Sequence, residues 1–340
     1  MSIGVAVIGV GHWGPNLARN FHSEPGVELR WVVDRDNGRL DHVRQSLPGV
    51  RTSTTVDDVW RDPKVDAVAI ATPTSTHGKL VEQALRSGKH VLVEKPIVDD
   101  SDLGTALVEL AAEAGLVLMV GHVFLFNEAI LMAKRFVDEG ELGDLFHITM
   151  VRTNLGPIRY DVNVSWDLAA HDVSIANFLL GSEPLSVSAV GGSWINSDIA
   201  DAVFATLRYP DNVLVNLHLS WLSPRKERDI TIVGSEKMLT VDDLSLTEPI
   251  RIHDKGVSAE RITPTWTDNY LSFRSSVRDG AIHIPKVNLS EPLKAECRHF
   301  LESVRSGETP RSDGAFGVSV VRVLEAIDRS IASSGAEHAV

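Results

Sequence analysis

The 340-residue chain has a single cysteine, Cys297. An internal disulfide is thereby excluded, and the composition fits a reducing, cytoplasmic setting. Cys297 itself sits on a helical pattern in Glu-Cys-Arg-His-Phe-Leu-Glu-Ser and reads as a half-buried small residue rather than a nucleophile. No run of about 18 apolar residues exists, so no membrane-spanning helix is expected. The opening strand follows without a basic n-region or a small-residue cleavage site, which argues against a secretory signal. Positive charge is scarce: 33 Lys plus Arg face 46 Asp plus Glu, for a formal net charge of −13. Such a field disfavours nucleic acid as a partner, and no basic stripe with interleaved aromatics offsets it. It mildly favours a neutral or cationic substrate, although the cluster Arg225, Lys226 and Arg228 can act locally within a Debye length. The thirteen histidines show no His-x-x-His or His-Glu-x-x-His spacing for a metal site, and neither a Gly-x-Ser-x-Gly elbow nor a P-loop is present.

What the chain does contain is concentrated near its start. Val-Ala-Val-Ile runs into Gly9-x-Gly11-x-x-Gly14, a helical segment follows, and a second apolar strand ends in Asp34. Gly9 permits the tight turn and Gly11 lets backbone approach a pyrophosphate. Gly14 allows close helix-on-strand packing, and the free N–H groups of the helix N-terminus face the anion. Pro15 suits the first helical turn, where a missing N–H costs nothing. His12 and Trp13 lie in the same turn and join the cofactor-binding candidates. Asp34 can accept from both ribose hydroxyls of an adenosine and would repel a 2′-phosphate, so NAD is the expected cofactor, with Arg35 beside it leaving room for NADP use.

At 43% apolar and 23% charged residues, the length allows two domains with real cores. Residues 1–123 alternate strand and helix. Strands are expected at Gly4–Gly9, Glu28–Asp34, Ala67–Ala71, Lys89–Glu94 and Val117–Gly121, and helices at Pro15–Ser23, Leu40–Ser46, His77–Ser87 and Asp102–Ala114, the last capped by Ser101. This is a doubly wound α/β parallel sheet. Residues 124–340 form a second, α+β domain. Helices are expected at Glu128–Glu139, Trp166–Leu180, Pro292–Ser306 and Gly314–Ser333. Between them come strands at Val187–Gly191, Val203–Tyr209, Leu214–Trp221, Asp229–Val233, Met238–Val241 and Ile250–His253, which predict an open, mainly antiparallel sheet.

Three patches place polar groups where such folds build active sites. The first is Thr72, Pro73 and the following turn to His77. His77 reads equally as a packing residue or a nicotinamide-side contact. The second is Glu94-Lys95-Pro96. Lys95 ends an apolar strand at the sheet edge, where its ammonium can lower a hydroxyl pKa or steady an alkoxide. Glu94 can orient that ammonium, and Pro96 is a candidate for a cis bond. The third is Asp167 with His171, four apart on a helix and about 40° apart in projection. Imidazole can pass a hydroxyl proton in either direction, and Asp167, shortly after a cap at Ser165, can assist it; the alternative is a structural ion pair. Asp172 projects elsewhere and reads as structural. Asn154, Arg159, Tyr160, Asn163 and Trp166 are substrate-binding candidates, since aromatic rings among polar groups suit a pyranose.

The segments VAVIGVGHWG, AIATPTSTHGKLVEQALRSGKHVLVEKP and WDLAAHDVSIANFLLG, in that order, resemble the glucose–fructose oxidoreductase / inositol dehydrogenase / MocA family. Glu94-Lys95-Pro96 with Asp167-x-x-x-His171 is the specific part of the match, which covers nearly the whole chain. The resemblance implies a Rossmann domain followed by a domain with an open antiparallel sheet that forms homodimers or homotetramers. It also implies Lys95 and His171 as the proton-handling pair with Asp167 assisting. Within the family the chain looks closest to bacterial sugar 3-dehydrogenases and ketoreductases of amino-sugar pathways. Where members often carry an Arg, at Phe124 or Leu125, this chain is apolar. The expected activity is NAD-dependent oxidation of a ring hydroxyl, at C3, of a sugar or amino-sugar unit in nucleotide-sugar or aminoglycoside biosynthesis, or reduction of the ketone. Alternatives are an inositol dehydrogenase, an NAD-retaining redox glycosidase and an NAD-binding regulator; retention of Lys95 and His171 speaks against the last.

Overall fold

A computed structural model describes residues 2–160, 162–257, 277–288 and 290–340. Its contacts divide the chain into two units, Met1–Phe126 with Ser290–Arg322, and Asn127–Leu289 with Val323–Val340.

In the first unit, strands β1 (Ile3–Ile8), β2 (Val27–Val33), β3 (Arg51–Ser53), β4 (Ala67–Ile70), β5 (His90–Glu94) and β6 (Leu118–Gly121) form one sheet in the order 3-2-1-4-5-6. Every pairing is parallel, for instance Val5↔Ala67 and Val93↔Val120. The continuous apolar runs follow from this arrangement: all residues of β1, β4 and β6 are buried, as strands covered on both faces must be. The order reverses on either side of β1, which creates the topological switch point at the carboxyl ends of β1 and β4. Helix α1 (Gly14–Ser23) buries Leu17, Ala18 and Phe21, and Phe21 meets Phe300 edge-on at 6.4 Å. Helices α2 (Asn37–Ser46), α3 (Asp57–Arg61), α4 (His77–Arg86) and α5 (Ser101–Ala114) complete the alternation. Contrary to the expected cap at Ser101, Asp100 caps α5, its side chain accepting from the Leu103 N–H at 2.7 Å, while Ser101 is already inside the helix. Both residue types can cap; the carboxylate one position earlier has the extended backbone that the cap geometry needs.

In the second unit, β7 (Leu145–Leu155) lies at the centre of a nine-stranded sheet. With β8 (Ser186–Gly192), β9 (Ala202–Arg208), β10 (Leu214–Ser220), β11 (Leu222–Gly234), β12 (Met238–Asp242), β13 (Ile250–Val257), β14 (Val277–His283) and β15 (His338–Ala339) the order is 14-13-12-11-7-10-9-8-15. Among the described residues of this sheet, only the β7–β10 pair is parallel. No clear sequence pattern announces strands β3, β7, β14 and β15 or helix α3. In β7 the inward positions are Ile148, Met150 and Arg152, and the arginine breaks the apolar alternation because it is neutralised in place by Asp172 of the helix below. Helices α6 (Glu128–Asp138) and α7 (Ala170–Leu180) belong to this unit; α8 (Pro292–Ser306) belongs to the first, and α9 (Gly314–Ala332) runs from one into the other. One face of the sheet is apolar and covered, with Leu207, Leu217, Leu219 and Ile232 among its buried residues. The opposite face exposes Val190 and Phe204, the latter stacked on His218 with centroids 4.6 Å apart.

Candidate active site

The glycine turn after β1 is built as its chemistry requires. Gly9 has φ +91°, a conformation side chains rarely adopt, and a Cβ at Gly14 would run into the Gly9 carbonyl. A Cβ at Gly11 would face open space, with only Arg39 Nη1 within reach at 3.6 Å. No side chain caps α1, and Pro15 stands in its first turn, so the helix start is left for an external anion. Asp34 turns its carboxylate back over this turn: Oδ2 accepts from the Val10 N–H at 2.7 Å and Oδ1 from the Asp36 N–H at 2.9 Å. Val10, Gly11, His12, Arg39, His42 and Ser46 line a depression of about 380 Å³ beside it. Trp13 takes the N-cap position of α1, and Arg35 is exposed. The cation next to Asp34 is Arg39, 3.6 Å from Oδ2. These residues fit a dinucleotide.

At the next edge, Thr72 Oγ1 contacts Thr76 Oγ1 at 2.7 Å, and the Thr76 hydroxyl also donates to the Pro73 carbonyl. His77 is buried with Nδ1 2.9 Å from the Pro96 carbonyl and Nε2 2.8 Å from the Thr72 carbonyl. It therefore ties the two loops together rather than reaching outward. Burial pushes its pKa down, against the pull of those carbonyls. The Lys95–Pro96 bond is cis, and Lys95, half-buried, directly follows β5.

Beneath Lys95 the charges are unusual. Burial raises the Glu94 carboxyl to about 8 despite the Lys95 ammonium, so it holds its proton far more firmly than an exposed carboxyl does. Glu296, on α8, is fully buried with no hydrogen-bond partner for either oxygen among the described residues, and burial together with Glu94 pushes its carboxyl well above the usual range. His122, directly after β6, is buried edge-on against Phe316 at 5.7 Å; burial and the Lys95 charge hold it down to about 3. Neither Glu296 nor His122 is flagged by any motif. Cys297 is buried, its thiol pushed well up by burial and by Glu296, as an inert core residue should be.

In the second unit the chain leaves β7 through the segment that carries the substrate candidates. The Asn154 amide donates to the Gly156 carbonyl, and Tyr160 is 73% exposed. Asn163, not Ser165, caps the following helix: its Oδ1 accepts from the N–H groups of Ser165 at 3.0 Å and Trp166 at 3.1 Å, whereas Ser165 is buried within the turn. Asn163 and Trp166 both spend their donors on Asp328, at 2.8 and 2.7 Å. Residues Ser165–Ala169 form a single π-turn before α7, so the projection expected for a regular helix does not carry across Asp167 and His171. Asp167 is held from two sides, Oδ1 by Arg159 Nη1 at 3.2 Å and Oδ2 by the Trp221 indole N–H at 3.1 Å. Trp221, fully buried directly after β10, joins the candidate site through this contact; no motif marks it, and a tryptophan just past a strand is the one signal the sequence offers. His171 is half-buried at the start of α7. Asp172 is structural as expected, buried against Arg152 Nε at 2.7 Å; burial raises its carboxyl against the arginine. Among the described residues, no group of three or more His, Cys, Asp or Glu could hold a metal ion.

Residues 3–122 match the model of an oxidoreductase family with an NAD-binding Rossmann fold, and residues 130–240 match the GFO/IDH/MocA C-terminal domain. A scyllo-inositol 2-dehydrogenase (NAD(+)) of Bacillus subtilis is 30% identical, over 90% of this chain and 87% of that protein. A UDP-N-acetylglucosamine 3-dehydrogenase of Acidithiobacillus ferrooxidans is 30% identical over 93% of each. A solved structure of UDP-N-acetylglucosamine 3-dehydrogenase from that organism superposes with TM-score 0.81, at 27% identity, over 98% of this chain and 99% of that one.

Proposed function

Because the chain belongs to the GFO/IDH/MocA family of NAD-binding oxidoreductases, we propose that it oxidises a ring hydroxyl, at C3, of a sugar or amino-sugar unit, or reduces the corresponding ketone. The observation that carries the reading is Lys95 at the carboxyl end of β5, in the same sheet whose β1 and β2 ends carry the glycine turn and Asp34. NAD, when bound by Gly9–Gly14 and Asp34, supplies the hydride acceptor. Lys95 donates to the substrate oxygen and steadies its developing negative charge. His171 takes the hydroxyl proton, and Asp167, oriented by Arg159 and Trp221, assists it. The exposed sheet face with Val190 and Phe204 is the homodimer or homotetramer surface, and the single cysteine supports a cytoplasmic enzyme.

The test is a thermal-shift panel of NAD with UDP-sugars, free sugars, inositols and aminoglycosides, followed by turnover on whichever ligand stabilises. Lys95→Met and His171→Ala should each lower turnover by about 10²-fold while NAD still binds. Near-normal turnover in either variant removes that residue from the mechanism. The similarity to a scyllo-inositol 2-dehydrogenase supports inositol oxidation as the second reading, and the same panel separates the two.

A further inference from the structure

Asp328, on α9, stands in no motif, yet both of its carboxylate oxygens are engaged by one short turn. Oδ1 accepts from the Asn163 amide at 2.8 Å and Oδ2 from the Trp166 indole N–H at 2.7 Å. The ring of contacts closes on itself, because Asn163 Oδ1 accepts from the backbone N–H groups of Ser165 and Trp166 at 3.0 and 3.1 Å. Asp328, Asn163 and Trp166 all belong to the second unit. Hydrogen bonds to an ionised acceptor are the strong class, and here two of them converge on the start of the π-turn Ser165–Ala169.

Asp167 lies inside that π-turn and His171 beyond it on α7. A π-turn is uncommon and carries one residue more than a turn of regular helix. Returning it to α-helix would rotate the side chains before the change by about 100° relative to those after it. The relation between Asp167 and His171 therefore depends on the π-turn being kept. Arg159 and Trp221 hold the Asp167 carboxylate itself, whereas Asp328 holds the backbone frame that carries it.

We propose that Asp328 is a positioning residue for the oxidation: by clamping Asn163 and Trp166 it keeps the π-turn in register and so keeps Asp167 and His171 in their working relation. The proposal rests on the reading of His171 and Asp167 as the proton-handling side of the site. It assigns Asn163 and Trp166 to the frame of the site rather than to contact with the sugar ring, since the Trp166 N–H is already committed to Asp328. Without the carboxylate, two donors lose their shared acceptor and the start of the turn is released. Misplacement of a reacting group by about 1 Å can cost about 10²-fold in rate, so the loss falls on the chemical step.

The experiment is steady-state kinetics on Asp328→Ala, Trp166→Phe, His171→Ala and the double variant Asp328→Ala/His171→Ala, at saturating NAD. The substrate is whichever UDP-sugar, free sugar, inositol or aminoglycoside the wild type oxidises. Asp328→Ala should lower kcat by about 10–10²-fold, with KM within about threefold of the wild type and NAD affinity unchanged. Trp166→Phe, which keeps the ring and removes one arm of the clamp, should lose less. In the His171→Ala background, Asp328→Ala should cost no more than about twofold, because a residue that acts by placing the imidazole has nothing left to place. A residue that merely supports the fold would lower turnover by the same factor in both backgrounds. Wild-type kcat in Asp328→Ala, equal losses in the two backgrounds, or a loss confined to KM overturns the proposal. Should Asp328→Ala fail to fold, Trp166→Phe with and without His171→Ala makes the same comparison. A wild type that oxidises no member of the panel, or wild-type turnover in His171→Ala, overturns the reading of the site itself and this proposal with it, which is a distinct result.

Discussion

The Trp221 indole N–H donates to Oδ2 of Asp167 at 3.1 Å from a fully buried ring. Arg159 reaches the other oxygen at 3.2 Å from the loop after β7. The carboxylate is thus aimed by two separate elements of the second unit, one rigid and one exposed. Trp221→Phe removes the donor and keeps most of the ring. A hydrogen bond to a charged group contributes about 1.5–3 kcal/mol, so the variant should lose a few degrees of Tm and turn over about 3–30-fold more slowly, with NAD affinity unchanged. Wild-type turnover would exclude orientation of Asp167 from the mechanism.

The glycine turn separates packing from ligand approach. Gly14→Ala forces a Cβ into the Gly9 carbonyl oxygen, a backbone atom that cannot yield cheaply. Overpacking of this kind costs about 1–3 kcal/mol, so both Tm and NAD affinity should fall. Gly11→Ala meets only the end of Arg39, a flexible side chain, and should fold with a near-normal Tm yet bind NAD at least about tenfold more weakly. Melting curves beside binding isotherms check the pair. Equal melting of both variants would mean that the turn is not shaped as described.

The first unit was legible because its strands are buried on both faces and read as unbroken apolar runs, with glycines and Asp34 as punctuation. The second unit hid its central strand. Arg152 occupies an inward position of β7, and only the Asp172 partner from another element makes that tenable. The long β11 was expected only at Asp229–Val233, since its first half, with Pro224, Arg225 and Lys226, is exposed and carries no alternation. The candidate residues Lys95 and the Asp167/His171 pair are those that a motif announces. The sequence announces nothing where residues distant along the chain come within electrostatic reach, as Glu94 and Glu296 do, or where a turn departs from regular helix, as at Ser165–Ala169.

Helix α5 tests the capping correction directly. Asp100 accepts from the Leu103 N–H through its side chain, whereas the Ser101 backbone is already helical. Asp100→Ala should lower stability by about 1 kcal/mol, and Ser101→Ala should change it by a few tenths at most. Chemical denaturation of the two variants decides it; a reversed order would return the cap to Ser101.

Glu94 and His122 make stability depend on pH with opposite signs. Glu94 is raised to about 8 in the folded chain from an ordinary value of 4.5, so between these limits the folded state keeps a proton that the unfolded state has released. Its contribution is complete below about pH 4.5 and is lost as pH rises toward 8. His122 is held to about 3 from an ordinary 6.5, so there the unfolded state binds the extra proton, and stability is lost as pH falls from 6.5 toward 3. Burial dominates both shifts, and the Lys95 ammonium opposes the first while reinforcing the second. Glu94→Gln should therefore flatten the decline of Tm between pH 6 and 8 relative to the wild type, and His122→Leu should flatten the decline between pH 6 and 4. Thermal melts across that range, at constant ionic strength, provide the check. If Glu94→Gln left the alkaline slope unchanged, Glu94 would be an ordinary ionised partner of Lys95, and the ammonium would face the substrate with its charge already half-compensated.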